Sequence, residues 1–407
     1  MFRNDYARRI ESDYVSCMTK RFALALLFAL ACRGEADPPA TPAALQHHEI
    51  RANQLPAPYA TRSSGNPPRV ASAPAGWKPT VPPGFRIDVF AKGLEDPRNM
   101  ILAPNGDVLV AQSSAGSIVI LRGNQRFTLA RGLNYPYGLA IRGDMLYIGD
   151  EDAVVRIPYR AGQTSSNAAP AKIASLPNGG HATRNVIFNR NGSKMYVSIG
   201  SASNASPEEP PRAAVMEYNA DGSGVRRYAW GLRNPVGLAW NPRTGALWTC
   251  VNERDGLGDD LVPDYATELR DGAFYGWPWV YIGAHADPRL GERRDLPRAV
   301  VPSVLIQSHS APIGMVFYDG PMFPAAYRGS AFVALHGSWN RSKRTGYKVI
   351  RIKPSGSGYD DFAAGWMIGE DDRTVLGRPA GLLVLRDGSL LVSDDSNGII
   401  WRITYAK

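Results

Sequence analysis

Short apolar runs separated by Gly-containing turns recur along the chain at intervals of roughly 40 to 60 residues. One unit runs from Pro97-Arg98-Asn99-Met100 through Asn105-Gly106 to Val108-Leu109-Val110. Pro136-Tyr137-Gly138-Leu139, Pro235-Val236-Gly237-Leu238, Pro312-Ile313-Gly314-Met315 and Pro379-Ala380-Gly381-Leu382 open four more, each followed by a Gly turn and a second apolar run. The sixth copy begins Thr183-Arg184-Asn185 and leads through Asn191-Gly192 to Met195-Tyr196-Val197. Each copy reads as antiparallel strands joined by tight turns. Six such copies predict an all-β fold: a six-bladed β-propeller of four-stranded antiparallel blades over residues 81–407. The last segment, Gly398 to Tyr405, repeats the pattern of Gly116 to Leu121, and Val89-Phe90 is placed to complete the final blade with it.

Ahead of this domain the pattern changes twice. Met18-Thr19-Lys20-Arg21 followed by the apolar run Phe22 to Ala31 has the form of a secretory signal, so residues 1–32 are read as one, with Met18 as an alternative start. Leu30-Ala31-Cys32 resembles a bacterial lipoprotein cleavage site and makes Cys32 a candidate lipid anchor; periplasmic or secreted localisation follows. Residues 33–80 are rich in Pro and Ala without periodicity and read as a flexible linker, His47-His48 within it as a chance pair.

The formal charge of +9 includes residues 1–32, where five basic residues face three acidic ones, so the remainder carries +7. No dense basic run lies beyond the N-terminus, which argues against nucleic-acid binding. Of three cysteines, Cys250 lies inside an apolar run and reads as a buried thiol.

If the copies are blades, the loops before their first strands converge on one end of a channel. Counting four residues back from each opening Gly or Asn gives Glu95, Asn134, His181, Arg233, Ser310 and Gly377; counting three gives Asp96, Tyr135, Ala182, Asn234, Ala311 and Arg378. That set is a polar site or six solvated loops. Two segments interrupt the repeat. Asn252 to Tyr265 clusters Glu253, Asp255, Asp259 and Asp260 among glycines, an acidic loop or a hard-cation loop. His336-Gly337-Ser338-Trp339-Asn340-Arg341-Ser342-Lys343-Arg344, with His309, reads as an anion or sugar pocket or a solvated basic turn.

Gly179-Gly180-His181 with Thr183-Arg184-Asn185, and Gly231-Leu232-Arg233-Asn234-Pro235, resemble the soluble quinoprotein sugar dehydrogenases, propellers that bind pyrroloquinoline quinone (PQQ). The Glu253–Asp260 stretch, Tyr275-Gly276-Trp277-Pro278, His336 to Arg341 and Gly377-Arg378-Pro379 resemble their L-sorbosone dehydrogenase branch. The resemblance spans about residue 80 to the end. It implies a PQQ- and Ca²⁺-dependent oxidoreductase acting on an aldose or aldehyde sugar, with His181 as base and Arg233 beside the quinone. Asn134, Asn234, His336, Trp339, Arg341, Lys343 and Arg378 would bind the cofactor, and Glu253, Asp255, Asp259 and Asp260 would serve the metal. The electron acceptor, a quinone or a cytochrome, is left open. Arg254-Asp255 stands where the glucose-oxidising branch has a Gly-Pro whose carbonyls hold calcium, which counts against glucose. A calcium-dependent lactonase-like hydrolase and a non-catalytic binding propeller are the competing readings.

Overall fold

The computed structural model describes residues 44–291, 293–355 and 357–406. The expected signal and Cys32 lie outside them. Six antiparallel sheets follow one another in chain order. Blade 1 starts with the strand Pro97–Leu102, blade 2 with Gly138–Arg142, blade 3 with Val186–Phe188, blade 4 with Asn234–Trp240, blade 5 with Pro312–Phe317 and blade 6 with Pro379–Val384. Blade 6 takes its fourth strand from Phe85–Ala91, which pairs with Ile399–Tyr405 through Trp401↔Val89 and Ile403↔Ile87. The closure expected at Val89-Phe90 is therefore present.

Middle strands such as Val108–Gln112 and Leu390–Asp394 are buried at every residue. A blade packed between two others loses water from both faces, so its central strands are continuous rather than alternating apolar runs. Outer strands such as Gln125–Ala130 mix exposed and buried positions.

The repeated Gly has a steric cause. A Cβ on Gly314 would lie 2.1 Å from the Ala380 carbonyl oxygen of the next blade, and one on Gly381 2.1 Å from the Arg98 oxygen. At Gly138 the Arg184 oxygen would be 2.6 Å away, and at Gly237 the Met315 backbone nitrogen 3.0 Å. At these four positions the innermost strands touch backbone to backbone, which leaves no room for a Cβ. The residue between Pro and Gly turns inward instead: Tyr137, Val236, Ile313 and Ala380 form one buried cluster.

The segment before the propeller differs from the flexible linker expected of residues 33–80. His47–His48 adds a fifth strand to blade 5, with His48 bonded to Asp361 at 3.1 Å. Residues 59–70 form a strap: Tyr59 N donates to the Leu257 oxygen at 2.8 Å, Asp259 N to Thr61 Oγ1 at 2.7 Å, and Arg69–Val70 pairs in parallel with Thr374–Val375. Its backbone is satisfied by other loops, so no internal periodicity betrays it. Cys250 is buried, its thiol pushed up to about 12 by burial.

Candidate functional site at one mouth of the ring

All six lead-in loops open on the same end of the channel, because each precedes the first strand of its blade. His181, Arg233 and Arg378 thus share one rim. Next to His181, two further loops complete the wall: 200–211, after the second strand of blade 3, and 253–263, after that of blade 4.

His181 Nδ1 lies 2.7 Å from the Ser201 carbonyl oxygen and 3.2 Å from Ser201 Oγ. The Ser201 hydroxyl donates its own proton to the Ser203 oxygen at 2.6 Å. Both Ser201 atoms must therefore accept, which places the imidazole proton on Nδ1 and leaves Nε2 as a bare acceptor. Burial, then repulsion by Arg233, lowers the His181 pKa to about 4. This is a neutral base with one fixed tautomer. Gly200 makes room for it: a Cβ there would come within 2.6 Å of His181 Cβ and 2.4 Å of Asn234 Oδ1.

Arg233 is held from two sides. Its Nε donates to the Asn204 carbonyl at 3.2 Å, and Nη2 donates to Asn204 Oδ1 at 3.1 Å and Asp255 Oδ2 at 3.0 Å. Asn204 also accepts from Asp255 N at 2.8 Å and, through its carbonyl, from Trp277 Nε1 at 2.9 Å. Asp255 Oδ1 in turn accepts from Asn340 Nδ2 at 2.6 Å and sits 3.3 Å from His309 Nδ1. Although burial opposes both shifts, the His309–Asp255 contact raises the histidine and, with Arg233, lowers the carboxyl. Sequence reasoning assigned no role to Asn204, Asn340 or Ser201. Their types are ordinary for loops, and only the fold brings them together.

Across the mouth, Arg378 donates through Nε to the His336 carbonyl at 3.1 Å and through Nη2 to Gly337 at 3.3 Å, with Tyr347 5.8 Å away. Among the described residues it has no carboxylate within ion-pair distance, and burial lowers its pKa. His336 Nε2 binds Asp395 Oδ2 at 2.7 Å, and Arg98 Nε reaches the same oxygen at 2.9 Å. Burial, then Arg378, lowers His336 to about 4. Asn134 is exposed and tied to Asp152 Oδ1 at 3.0 Å.

The expected calcium set does not assemble. Glu253 Oε2 accepts from Arg254 Nε at 3.0 Å inside a buried pair. Asp255 is shared between Arg233 and Asn340, Asp259 is taken by Ser342 and Asp260 by Arg341 at 2.7 Å. No group of three metal-ligating side chains occurs among the described residues. Nor is the Asp255 carbonyl free, for it already accepts from Asn204 Nδ2 at 2.9 Å and Arg289 Nη1 at 2.8 Å. Each of the four carboxylates is already engaged by a guanidinium, a side-chain amide, a hydroxyl or a backbone N–H, so these residues do not fit a bound Ca²⁺.

Part of the expected cofactor set is likewise engaged elsewhere. Arg341 donates to Asp260, to the Asp259 carbonyl and to Lys343 O, while Lys343 pairs with Glu370 at 2.9 Å on the surface. Trp339 is exposed. What fits a flat polyanion is the remainder: Arg378 without a carboxylate, Arg233 with Nη1 unspent, and the Ser310 hydroxyl, a donor buried without a partner among the described residues. Guanidiniums in fixed orientation recognise carboxylates well.

A family model for TrAA12-like proteins matches residues 79–263 and 294–406. An uncharacterised protein of Borreliella burgdorferi is 27% identical over 348 residues, covering 80% of this chain and 91% of its own. A pyrroloquinoline quinone-dependent sugar dehydrogenase of Hypocrea jecorina is 21% identical over 328 residues, covering 64% and 73%. The holo form of the pyranose dehydrogenase PQQ domain from Coprinopsis cinerea superposes with a TM-score of 0.69 at 21% identity, over 83% of this chain and 99% of that one, a likeness of fold. With its model matched over most of the length, the chain belongs to the TrAA12-like family.

Proposed function

We propose that the protein is a PQQ-dependent dehydrogenase that oxidises an aldose or aldehyde sugar, L-sorbosone among the candidates, at the His181 mouth. One observation carries this reading: a neutral imidazole with a bare Nε2 shares a rim with Arg378, which has no carboxylate within ion-pair distance among the described residues, and with Arg233, which Asp255 holds through Nη2 alone. The TrAA12-like family and the named PQQ enzymes similar to this chain support it. Arg233 and Arg378 would hold the cofactor's anionic groups. PQQ, when bound, supplies the two-electron acceptor for the hydride that leaves the sugar carbon. His181 Nε2 takes the proton of the hydroxyl on the carbon that loses hydride, the anomeric hydroxyl of an aldose or a hydroxyl of the hydrated aldehyde, while Nδ1 stays bonded to Ser201, so the ring need not turn over during the transfer. Asn204 and Asp255 keep Arg233 from swinging away, and its fixed charge favours the anion that develops opposite. No step is assigned to calcium, since its expected ligands are engaged.

A second reading of the base rests on His336. Its Nε2 is oriented by Asp395 at 2.7 Å, and no hydrogen bond occupies Nδ1 among the described residues. Export guided by residues 18–31, with or without lipid on Cys32, belongs to the same proposal.

Reconstitution tests it. Purified apo-protein is mixed with PQQ, with and without Ca²⁺, and PQQ binding and dye reduction are followed with a panel of aldoses and L-sorbosone. The expected result is binding and turnover. His181→Ala should abolish turnover while PQQ still binds; if His336→Ala does so instead, the base is His336. Failure to bind PQQ, or lactone hydrolysis without it, overturns the proposal.

A further inference from the structure

The opposite end of the ring carries a cleft that the dehydrogenase reading does not use. It lies between blades 3 and 4, encloses about 980 Å³, and is lined by Arg190, Asn191, Trp240, Asn241 and Pro242, among others. Arg190 and Asn191 stand in the first turn of blade 3 and Pro242 in that of blade 4, both remote from the lead-in loops. Its size is that of a small-molecule site.

Its polar groups are unusual in their direction. Asn191 Oδ1 accepts from Ser193 N at 3.0 Å and Ser193 Oγ at 2.7 Å; Asn241 Oδ1 accepts from Arg243 N at 3.0 Å. Both amide oxygens are thus consumed within their turns, and the two NH₂ groups remain as donors held in a fixed orientation. Trp240 Nε1 donates to the Phe188 carbonyl at 2.7 Å, so the indole offers the cleft only its ring. Arg190 is exposed, and among the described residues neither hydrogen bond nor ion pair occupies it. Arg190 is the one cation of this lining; Arg142 donates instead through Nε to the Gly192 carbonyl at 2.6 Å, and Arg243 lies against Gly329 of blade 5.

The lining therefore combines two fixed amide donors, one guanidinium that no carboxylate occupies among the described residues, and one aromatic ring. A neutral sugar needs acceptors as well as donors; this surface supplies chiefly donors. We propose that the cleft binds an acidic saccharide, a uronate-bearing oligosaccharide, with a sugar face on Trp240, hydroxyls on Asn191 and Asn241, and its carboxylate at Arg190. The site is separate from the His181 mouth, so it stands or falls independently of the reaction there.

The test is calorimetric titration of the protein with tetragalacturonate, alongside cellotetraose and inorganic sulfate. Saturable binding of tetragalacturonate is expected, at least tenfold tighter than either control and weakening as salt rises from about 50 to 500 mM. Arg190→Gln and Asn191→Ala, on exposed turns, should each weaken it about tenfold or more while melting temperature and dye reduction stay unchanged. Trp240 is left intact, since its bond to Phe188 also serves folding. The proposal is overturned if tetragalacturonate does not saturate, if cellotetraose or sulfate binds as tightly, or if both variants bind like the parent.

Discussion

The three histidines of the mouth should titrate in opposite directions, and this can be measured without cofactor or substrate. Burial and the neighbouring arginines bring His181 and His336 to about 4, whereas Asp255 raises His309 above its ordinary value. At pH 5.5 an unperturbed imidazole with a pKa of about 6.5 is roughly 9% neutral, while one at about 4 is roughly 97% neutral. The chain has only six histidines, so their ring signals can be resolved by NMR and assigned with single His→Gln variants. In Arg233→Gln, which removes the second-largest influence on His181, its midpoint should rise but stop short of 6.5, because burial persists. The stability consequence has a definite sign. Below its unfolded pKa, His181 binds a proton more readily in the unfolded chain; its contribution is therefore intact above about pH 6.5 and declines as pH falls toward 4. A His181 midpoint near 6.5 in the parent, or one that ignores Arg233→Gln, would refute the base assignment at its root.

Asn204→Ala removes the amide that binds Arg233 and both backbone groups of Asp255. It should weaken PQQ binding about tenfold and cost about 1–3 kcal/mol in chemical denaturation; an unaltered affinity would mean Arg233 needs no such support. Gly314→Ala sets a Cβ against the Ala380 carbonyl, so a loss of at least about 1–3 kcal/mol is expected from urea melts, and a neutral result would show that the inner strands are not in contact. Asn66→Ala should lower PQQ affinity more than it lowers melting temperature, since Asn66 donates to Arg341 O and Ser342 O at 3.0 Å and fastens the loop that carries Asn340; equal affinity in parent and variant would reduce the strap to packing.

The ring was legible because its physical cause is repetitive. Each Pro-x-Gly marks a place where two blades meet backbone to backbone, and the motif recurs six times with three substitutions, Asn99 in the first copy and Thr183 and Asn185 in the third. His181, Arg233 and Arg378 were legible for the same reason, as members of equivalent loops. The acidic loop was not. By composition Glu253, Asp255, Asp259 and Asp260 read as an acidic loop or a metal loop, and the family resemblance makes them ligands; each is claimed by a partner distant in sequence except Glu253, whose guanidinium is the adjacent Arg254. Carboxylate count does not reveal which charges are already met. The strap escaped notice because an extended chain bonded to loops presents no repeating face.

Blade 6 draws one strand from Phe85–Ala91 and three from the carboxyl-terminal stretch, and the same stretch supplies Arg378 and Asp395 to the mouth. During synthesis the early strand must wait, unmated, for some three hundred residues to be made. A nascent chain halted within that stretch lacks at once its clasp and half the charge of its pocket. Truncated products should therefore be inert and open to proteolysis together, so that a molecule of this kind is either whole or discarded.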